Sequence, residues 1–171
     1  MDDRDAITQC LAGDADAFRV LVDRYQARAF GHARFLSGSD ADAADAAQDA
    51  FIDAYRALSR FDLARPFYPW FYVLLRNRCA KQRSRRATRA ESQELSQAVV
   101  SAAPDIDASL DLGRALRQLD SDEREIVMLK HIDGWKYSEI AERIGIPLGT
   151  VMSRLFTARQ KLRATLAGVS K

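Results

Sequence analysis

Apolar residues recur with a helical period along most of the chain, and the alternation typical of β-strands is almost absent. In FRVLVDRYQARAF one helix face is formed by Phe18, Leu21, Val22, Tyr25 and Ala29. Asp14 or Asp16 is a suitable N-cap. The breaker Ser37–Gly38–Ser39 predicts that this helix ends near Leu36.

A second helix is predicted over SDADAADAAQDAFIDAYRAL, capped by Ser39 or Asp40. Its apolar face consists of Ala44, Ala47, Phe51, Tyr55 and Leu58. A polar stripe on another face consists of Asp42, Asp45, Asp49, Asp53 and Arg56. By composition alone, such a stripe is most often a face exposed to solvent.

Residues 65–86, RPFYPWFYVLLRNRCAKQRSRR, place large rings beside dense positive charge. Five of the chain's aromatic residues fall within six positions, namely Phe67, Tyr68, Trp70, Phe71 and Tyr72. Pro66 and Pro69 predict a non-helical loop, with a third helix beginning near Trp70. Its inner side is predicted to carry Trp70 and Leu74, with Val73 and Asn77 beside them. Ordinary core, membrane contact and nucleic-acid contact all fit this composition.

Near the C-terminus, SEIAERIGIPLGTVMSRLFTARQKL predicts a helix, a tight turn at Gly145 and a second helix. A continuous apolar seam on that second helix consists of Val151, Leu155, Ala158, Leu162 and Leu166. The opposite face carries hydroxyls and cations, namely Thr150, Ser153, Arg154, Thr157 and Lys161. Donors, acceptors and cations in the first turns of such a helix are typical of a DNA recognition helix. A plain helical hairpin is the alternative interpretation.

These patterns predict an all-α fold with two small helical domains joined by a flexible linker. The first domain spans residues 1–89, and a weakly periodic linker spans 90–109. The second domain spans 110–171. Within it, Asp120 and Glu123 form a candidate capping box at the start of a helix. Gly134 ends that helix, and Ile132 is predicted to lie on its inner side.

Charge is distributed unevenly although the net charge is only +2. Residues 1–62 contain 12 acids and 7 arginines, whereas residues 65–89 contain 8 bases and no acid. Residues 143–171 contain 6 bases and again no acid. Two basic regions and one acidic region predict a polyanion at two places and a different partner at the third.

The sequence gives little support for catalysis or metal binding. Cys10 and Cys79 are the only cysteines, and His32 and His131 are isolated from them. We find no glycine-rich phosphate loop, no HExxH and no plausible Ser/His/Asp set. We therefore expect no catalytic residue, no metal and no cofactor. The longest apolar run, WFYVLL, is too short to span a bilayer, and the acidic N-terminus does not suit a signal peptide, so we expect a cytoplasmic protein without membrane insertion.

Taken together, the motifs resemble the extracytoplasmic-function (ECF) group of the bacterial sigma-70 family. LAGDADAFRVLVDRY and DAAQDAFIDAYRAL resemble the start and the polymerase-binding helix of the sigma-two domain. FYPWFYVLLRNRCAKQRSRR resembles its promoter-melting segment, and GWKYSEIAERIGIPLGTVMSRLFTARQKLR resembles the sigma-four domain. The resemblance implies a factor that directs core RNA polymerase to promoters and that an anti-sigma protein inhibits.

The resemblance also implies residue roles. Contacts to the clamp helices of the largest polymerase subunit are expected from Asp45, Gln48, Asp49, Asp53 and Arg56. Contacts to the −10 element, single-stranded after melting, are expected from Phe67, Tyr68, Trp70, Phe71, Arg76, Asn77, Lys81 and Arg85. Contacts to duplex DNA at −35 are expected from Thr150, Ser153, Arg154, Thr157, Arg159 and Lys161. Among the rings, Phe67 and Tyr68 are expected to meet an unstacked base, because the predicted loop exposes them.

Several positions depart from the family pattern. Lys81 stands where the family usually has Asp, Thr157 where it commonly has Arg, and Lys136 where a Ser or Thr cap is usual. Pro69 directly before Trp70 is also unusual. A different class remains open: a two-domain helix-turn-helix regulator that does not bind core polymerase, which would leave the aromatic and basic segment without a role.

Overall fold

The computed structural model of the chain describes residues 1–37, 39–92, 115–116 and 118–169. Regular structure in these ranges is helical throughout, and the chain divides into two compact units, residues 1–104 and 105–171. The predicted all-α fold with two helical domains is confirmed. Most of the predicted linker, 90–109, lies outside the described residues, as do Gly38 and Leu112, so the exact domain boundaries stay a prediction. No helix within the described ranges has the length and hydropathy needed to cross a membrane.

Up to residue 92, the described part of the first unit has four α-helices: α1 (Asp3–Leu11), α2 (Phe18–Ser37), α3 (Asp40–Ala57) and α4 (Phe67–Ser92). Short 3₁₀ turns occupy Ala15–Ala17 and Leu58–Arg60. Helices α2, α3 and α4 pack against one another, and α1 packs against α2. The predicted end of α2 and the Ser39 cap of α3 are confirmed: the Ser39 hydroxyl accepts a hydrogen bond from the Asp42 amide at 3.4 Å.

Helix α1 was not predicted from the sequence. Its apolar signal is limited to two buried side chains, Ala6 and Ile7. The helix is stabilised at its start instead, where Asp2 and Asp5 form a reciprocal capping box. Tyr25 on α2 donates a hydrogen bond to Asp3 at 2.5 Å, and this bond attaches α1 to the unit. Burial, followed by this hydrogen bond, raises the pKa of Tyr25 to about 12.

The buried face of α3 confirms the prediction for Ala47, Phe51 and Leu58 and corrects it elsewhere, where small residues are buried instead. Four alanines are fully buried, namely Ala43, Ala46, Ala50 and Ala54. They let α3 lie close to its neighbours. Ala44 and Tyr55, predicted to be inside, are exposed. Alanine is common on both faces of this helix, so hydrophobicity alone did not identify the buried one.

Helix α4 begins at Phe67, so the predicted loop around Phe67 and Tyr68 is wrong. Pro69 is the third residue of the helix. A proline is tolerated there because the amide groups of the first turn have no carbonyl partner within the helix. The rings after Pro66 therefore follow helical geometry from the start.

The buried face of α4 also differs from the prediction. Its fully or nearly fully buried side chains are Phe67, Tyr68, Phe71, Tyr72, Leu75 and Cys79. Trp70 and Leu74, predicted to face inward, are only half-buried, and Asn77 is exposed. The large rings thus fill the core of the unit: the Phe71 ring lies 4.4 Å from that of Phe51 on α3.

Within its described residues, the second unit has three helices of defined bounds: α5 (Ser121–His131), α6 (Tyr137–Ile144) and α7 (Leu148–Val169). The predicted capping box is confirmed, since Asp120 and Glu123 each accept the other's backbone amide at 2.8 and 3.1 Å. Between α6 and α7, Gly145 has a φ of 72°, which glycine adopts without strain. Helices α6 and α7 with this turn form the predicted helix-turn-helix.

Aliphatic side chains of moderate size form the core of the second unit. Its fully buried members include Ile126, Leu129, Ile140, Val151, Leu155 and Ala158. Ile132, predicted to point inward, is 76% exposed because it lies at the C-cap of α5. The seam on α7 is shorter than predicted, since Leu166 is 39% exposed.

Candidate functional site

An open apolar groove of about 960 Å³ lies between α2 and α3. The α2 wall is formed by Phe18, Val22, Gln26, Ala27 and Phe30, and the α3 wall includes Ala44, Gln48, Ile52, Tyr55 and Arg56. Two large apolar side chains at the rim, Ile52 and Tyr55, remain 40% and 45% exposed. Exposed apolar surface rimmed by polar groups is typical of a protein interaction site.

The structure divides the α3 residues predicted to bind polymerase between two environments. Gln48 and Arg56 line the groove, and Asp45 is exposed. Asp49 and Asp53 instead contact α4. Two of the five residues predicted to bind polymerase are therefore engaged by α4, although the side chain of Asp49 remains 50% exposed. Sequence reasoning also missed Ile52 and Tyr55, whose four- and seven-residue spacing from Gln48 was the available signal.

Arg78 of α4 is held by two carboxylates of α3. Its Nε and Nη2 donate to the two carboxylate oxygens of Asp53, each at 2.5 Å. Its Nη1 donates to Asp49 at 3.2 Å. The hydrogen bond from Arg78 is the main cause that lowers the pKa of Asp53. This fork joins α3 to α4. Arg86 of α4 adds a single ion pair, from its Nη1 to a carboxylate oxygen of Asp42 at 2.6 Å.

The remaining outer face of α4 is polar and positively charged. Trp70, Asn77, Lys81 and Arg85 fall at offsets of 0, 7, 11 and 15, so they lie on one side of the helix. Trp70 is half-buried against the ring of Phe61 at 4.9 Å, and the other three are exposed. Arg76, also predicted to contact −10 DNA, is half-buried.

The other rings predicted to contact −10 DNA lie in the core. Phe67, Tyr68 and Phe71 are 1%, 3% and 0% exposed. The Tyr68 hydroxyl is hydrogen-bonded to the Nδ1 of buried His32 at 2.8 Å, and the Arg28 guanidinium lies over the Tyr68 ring. The expectation that Phe67 and Tyr68 are exposed is therefore wrong, because helix formation from residue 67 turns both rings inward. Of the predicted rings, Trp70 alone retains substantial exposure.

Helix α7 directs two of its predicted DNA-contacting cations toward α5. Arg154 forms an ion pair with Asp122 at 2.8 Å. Lys161 donates to both carboxylate oxygens of Glu123 at 2.7 and 2.8 Å, and Glu123 is only 4% exposed. Lys161 therefore neutralises a buried acid, and sequence spacing gave no sign of this partner.

Arg159 of α7 contacts the other helices of its unit. Its Nη2 lies 3.3 Å from the Tyr137 hydroxyl and 3.4 Å from the Nε2 of His131. Burial, followed by the positive charges of Arg159 and Lys130, lowers the pKa of His131. The predicted residues Ser153 and Thr157 are exposed, and Thr150 is half-buried.

The exposed side of α7 also carries large apolar side chains. Leu148, Met152 and Phe156 are 47%, 53% and 62% exposed, and their spacing of four residues places them along one side. Sequence analysis omitted them because only hydroxyls and cations were sought on that face. In the described part of the chain, no group of three or more His, Cys, Asp and Glu side chains could hold a metal ion.

Two family models match the chain in succession. The model described as Sigma-70 region 2 matches residues 21–89, and the model described as Sigma-70, region 4 matches residues 109–162. The first match contains most of α2, all of α3 and α4 through its basic residues, and the second contains α5, α6 and most of α7.

Curated relatives resemble the chain over almost its whole length. It is 34% identical over 178 residues to the ECF RNA polymerase sigma factor SigW of Bacillus subtilis, covering 94% of each chain. It is 30% identical to the RNA polymerase sigma-H factor of Pseudomonas aeruginosa, covering 96% of this chain and 93% of that one.

Two solved structures share the fold. CnrH in complex with the cytosolic domain of CnrY has a TM-score of 0.69 at 31% identity, covering 97% of both chains. The sigma factor RpoE in complex with the anti-sigma factor NepR from Bartonella quintana has a TM-score of 0.73 at 26% identity. That match covers 88% of this chain and 96% of the other.

Proposed function

This chain belongs to the ECF group of the sigma-70 family of RNA polymerase sigma factors, and we propose from that membership which surface performs each step of initiation. Three surfaces are assigned. The α2–α3 groove binds core polymerase, the outer face of α4 holds the −10 strand, and the exposed face of α7 reads the −35 duplex.

The single observation that carries the polymerase assignment is the groove with Ile52 and Tyr55 exposed at its rim. A helix of the polymerase clamp fits such a groove, its apolar side chains packing inside and its basic side chains meeting Asp45. Gln48 and Arg56 supply hydrogen bonds at the rim. Asp49 and Asp53 act indirectly, since they hold Arg78 and thereby fix α4 beside the binding surface.

On α4, the −10 strand is proposed to lie along the line of Trp70, Asn77, Lys81 and Arg85. Lys81 and Arg85 contact phosphates, which releases counterions and makes affinity fall with salt. Asn77 offers an amide to a base or a sugar, and Trp70 offers a ring face on which a base stacks. Arg76 lies beside this line. The buried rings of Phe67, Tyr68 and Phe71 support the helix from behind.

Opening the promoter costs more free energy than base stacking on this chain returns, so the polymerase must take part in melting. Opening ten base-pair steps costs about 14 kcal/mol at about 1.4 per step. Each base stacked on an aromatic side chain returns about 1–3 kcal/mol. A single half-exposed tryptophan cannot offset that cost, so we expect the chain without polymerase to bind promoters weakly and leave them closed.

The second candidate, a helix-turn-helix regulator that does not bind core polymerase, leaves the exposed groove without an occupant. Ile52→Arg separates the two, with Leu11→Arg as the matched control, since Leu11 is 48% exposed on α1 outside the groove. We expect Ile52→Arg to abolish capture of core polymerase and promoter-specific transcription in vitro, and Leu11→Arg to leave both intact. Specific repression or activation without capture of core polymerase by the unaltered chain would favour the regulator.

An anti-sigma protein is proposed as a further partner. Both solved structures described above hold a chain similar to this one in complex with a second protein, and in one of them that second protein is named as an anti-sigma factor. The chain's action on polymerase and promoter DNA further implies a cytoplasmic location. Sigma factors are not enzymes, and we infer that this chain likewise acts by binding, without a covalent step.

A further inference from the structure

Helix α7 exposes a stripe of large apolar side chains that the fold itself does not use. Leu148, Met152 and Phe156 are about half exposed or more, whereas Val151, Leu155 and Ala158 on the buried side are 0%, 1% and 0% exposed. The stripe is therefore separate from the core seam of the same helix. It lies in the N-terminal part of α7, directly after the tight turn at Gly145, where the second helix of a helix-turn-helix contacts DNA.

Polar and charged neighbours indicate which partner covers the stripe. Ser153, Thr157 and Gln160 are exposed beside it, and each can bond a base edge or a phosphate. No acid occurs between residues 143 and 171, and Arg163 is exposed one turn further along. A helix that contributes cations and no acid complements a polyanion, so duplex DNA is the occupant that charge favours.

The chemistry of the DNA major groove indicates which base the apolar stripe contacts. In the major groove, the C5-methyl group of thymine is the apolar feature of the base-pair edges. Met152 and Phe156 offer no hydrogen-bond donor, and neither side chain distinguishes bases by donor pattern. Because the methionine side chain is unbranched and flexible, it can adjust to contact a thymine methyl group at more than one base position.

We propose that Met152 and Phe156 are specificity-determining residues that contact thymine methyl groups in the −35 element, with Leu148 at the edge of the same contact. Two of the cations predicted to contact −35 DNA, Arg154 and Lys161, hold α5 instead. Sequence preference at −35 therefore depends on apolar contact at one or two thymines, together with Ser153 and Thr157. This assignment rests on the proposed −35 role of α7.

Replacement of thymine by deoxyuridine tests the contact, because it removes the methyl group alone. Promoters are first selected from a library randomised at −35, by transcription with a bacterial core polymerase and the full-length chain. Each −35 thymine is then replaced singly by deoxyuridine, and holoenzyme binding is measured for the unaltered chain, Met152→Ala and Phe156→Ala. Leu166→Ala is the control, since Leu166 is exposed on α7 beyond these turns.

For the unaltered chain and for Leu166→Ala, at least one replacement is expected to weaken binding about fourfold, the effect of one buried methyl group. For Met152→Ala or Phe156→Ala, the same replacement is expected to have no further effect. A selected −35 element without thymine, no response to deoxyuridine, or an equal response in all variants overturns the inference while promoter-specific transcription stands. If the unaltered chain selects no promoter at all, the proposed function itself fails.

Discussion

The two long helices α4 and α7 use rings and cations in opposite ways. Helix α4 buries four of its rings, Phe67, Tyr68, Phe71 and Tyr72, and exposes Lys81 and Arg85. Helix α7 exposes its one ring, Phe156, and ties two cations to acids of α5. A similar composition therefore supports different contacts: exposed cations suit the backbone of a separated strand, whereas exposed apolar groups suit the base edges of a duplex.

The largest expected effect is the loss of a buried ring from α4. Phe71→Ala removes a fully buried side chain packed on Phe51 and Phe67 and should destabilise the first unit by about 3–5 kcal/mol. Phe156→Ala on α7 should change stability by less than about 0.5 kcal/mol, because that ring is already exposed. Urea unfolding followed by circular dichroism measures both. Equal destabilisation by the two substitutions would end the contrast between the helices.

The next largest effect is the loss of the ion pair that Lys161 of α7 forms with the buried Glu123. Lys161→Met leaves the buried carboxylate of Glu123 without its cation and should destabilise the second unit by about 1–3 kcal/mol. Arg163→Met on the same helix is the matched control, since Arg163 is exposed, and it should preserve stability. The same urea titration decides, and identical curves for the two variants would show that the ion pair contributes nothing to stability.

The exposed cations of α4 should act on DNA and leave stability unchanged. Lys81→Gln combined with Arg85→Gln should leave the unfolding curve in place, because both side chains are exposed. If each cation contacts one phosphate, the slope of log affinity against log salt for the holoenzyme should become shallower by roughly 1.4–1.8 units. Binding to a promoter measured at several salt concentrations provides that slope. An unchanged slope would show that neither residue contacts a phosphate of the −10 DNA.

The smallest effect is the pH dependence of the Arg78 fork. The folded protein lowers the pKa of Asp53, so near that pKa the folded chain binds fewer protons than the unfolded chain. The stabilisation is present above the ordinary aspartate pKa of about 3.9 and is lost as pH falls through the folded value. Asp53→Asn should therefore reduce the loss of stability between pH 5 and pH 3. Thermal unfolding across this range tests it, and parallel pH profiles for both proteins would contradict it.

Local chemistry made several features predictable from the sequence. The end of α2, the Ser39 cap, the Asp120–Glu123 capping box and the turn at Gly145 depend on residues close in sequence, and all four are confirmed. The basic and acidic segments were also visible, since charge is read directly from composition. Function at the level of the family followed from the order of the motifs.

Features that depend on how helices meet were not predictable in the same way. The buried side of α4 is set by the approach of α2 and α3, so Trp70 and Leu74 were assigned inward and Phe67 and Tyr68 outward. The partner of Lys161 lies 38 residues away on α5, beyond any local pattern. Helix α1 lacked a strong apolar period because only two of its side chains are buried.

If α4 opens the −10 region while α7 reads a closed −35 duplex, a promoter that is already open at −10 should affect variants of the two helices differently. Holoenzyme binding is measured for Trp70→Ala and Phe156→Ala on an intact promoter and on one whose −10 region is mismatched and already open. We expect both variants to bind the intact promoter poorly, and the open region to restore binding to Trp70→Ala more than to Phe156→Ala. Equal restoration of the two variants, or restoration of Phe156→Ala alone, would contradict the division of labour between the helices.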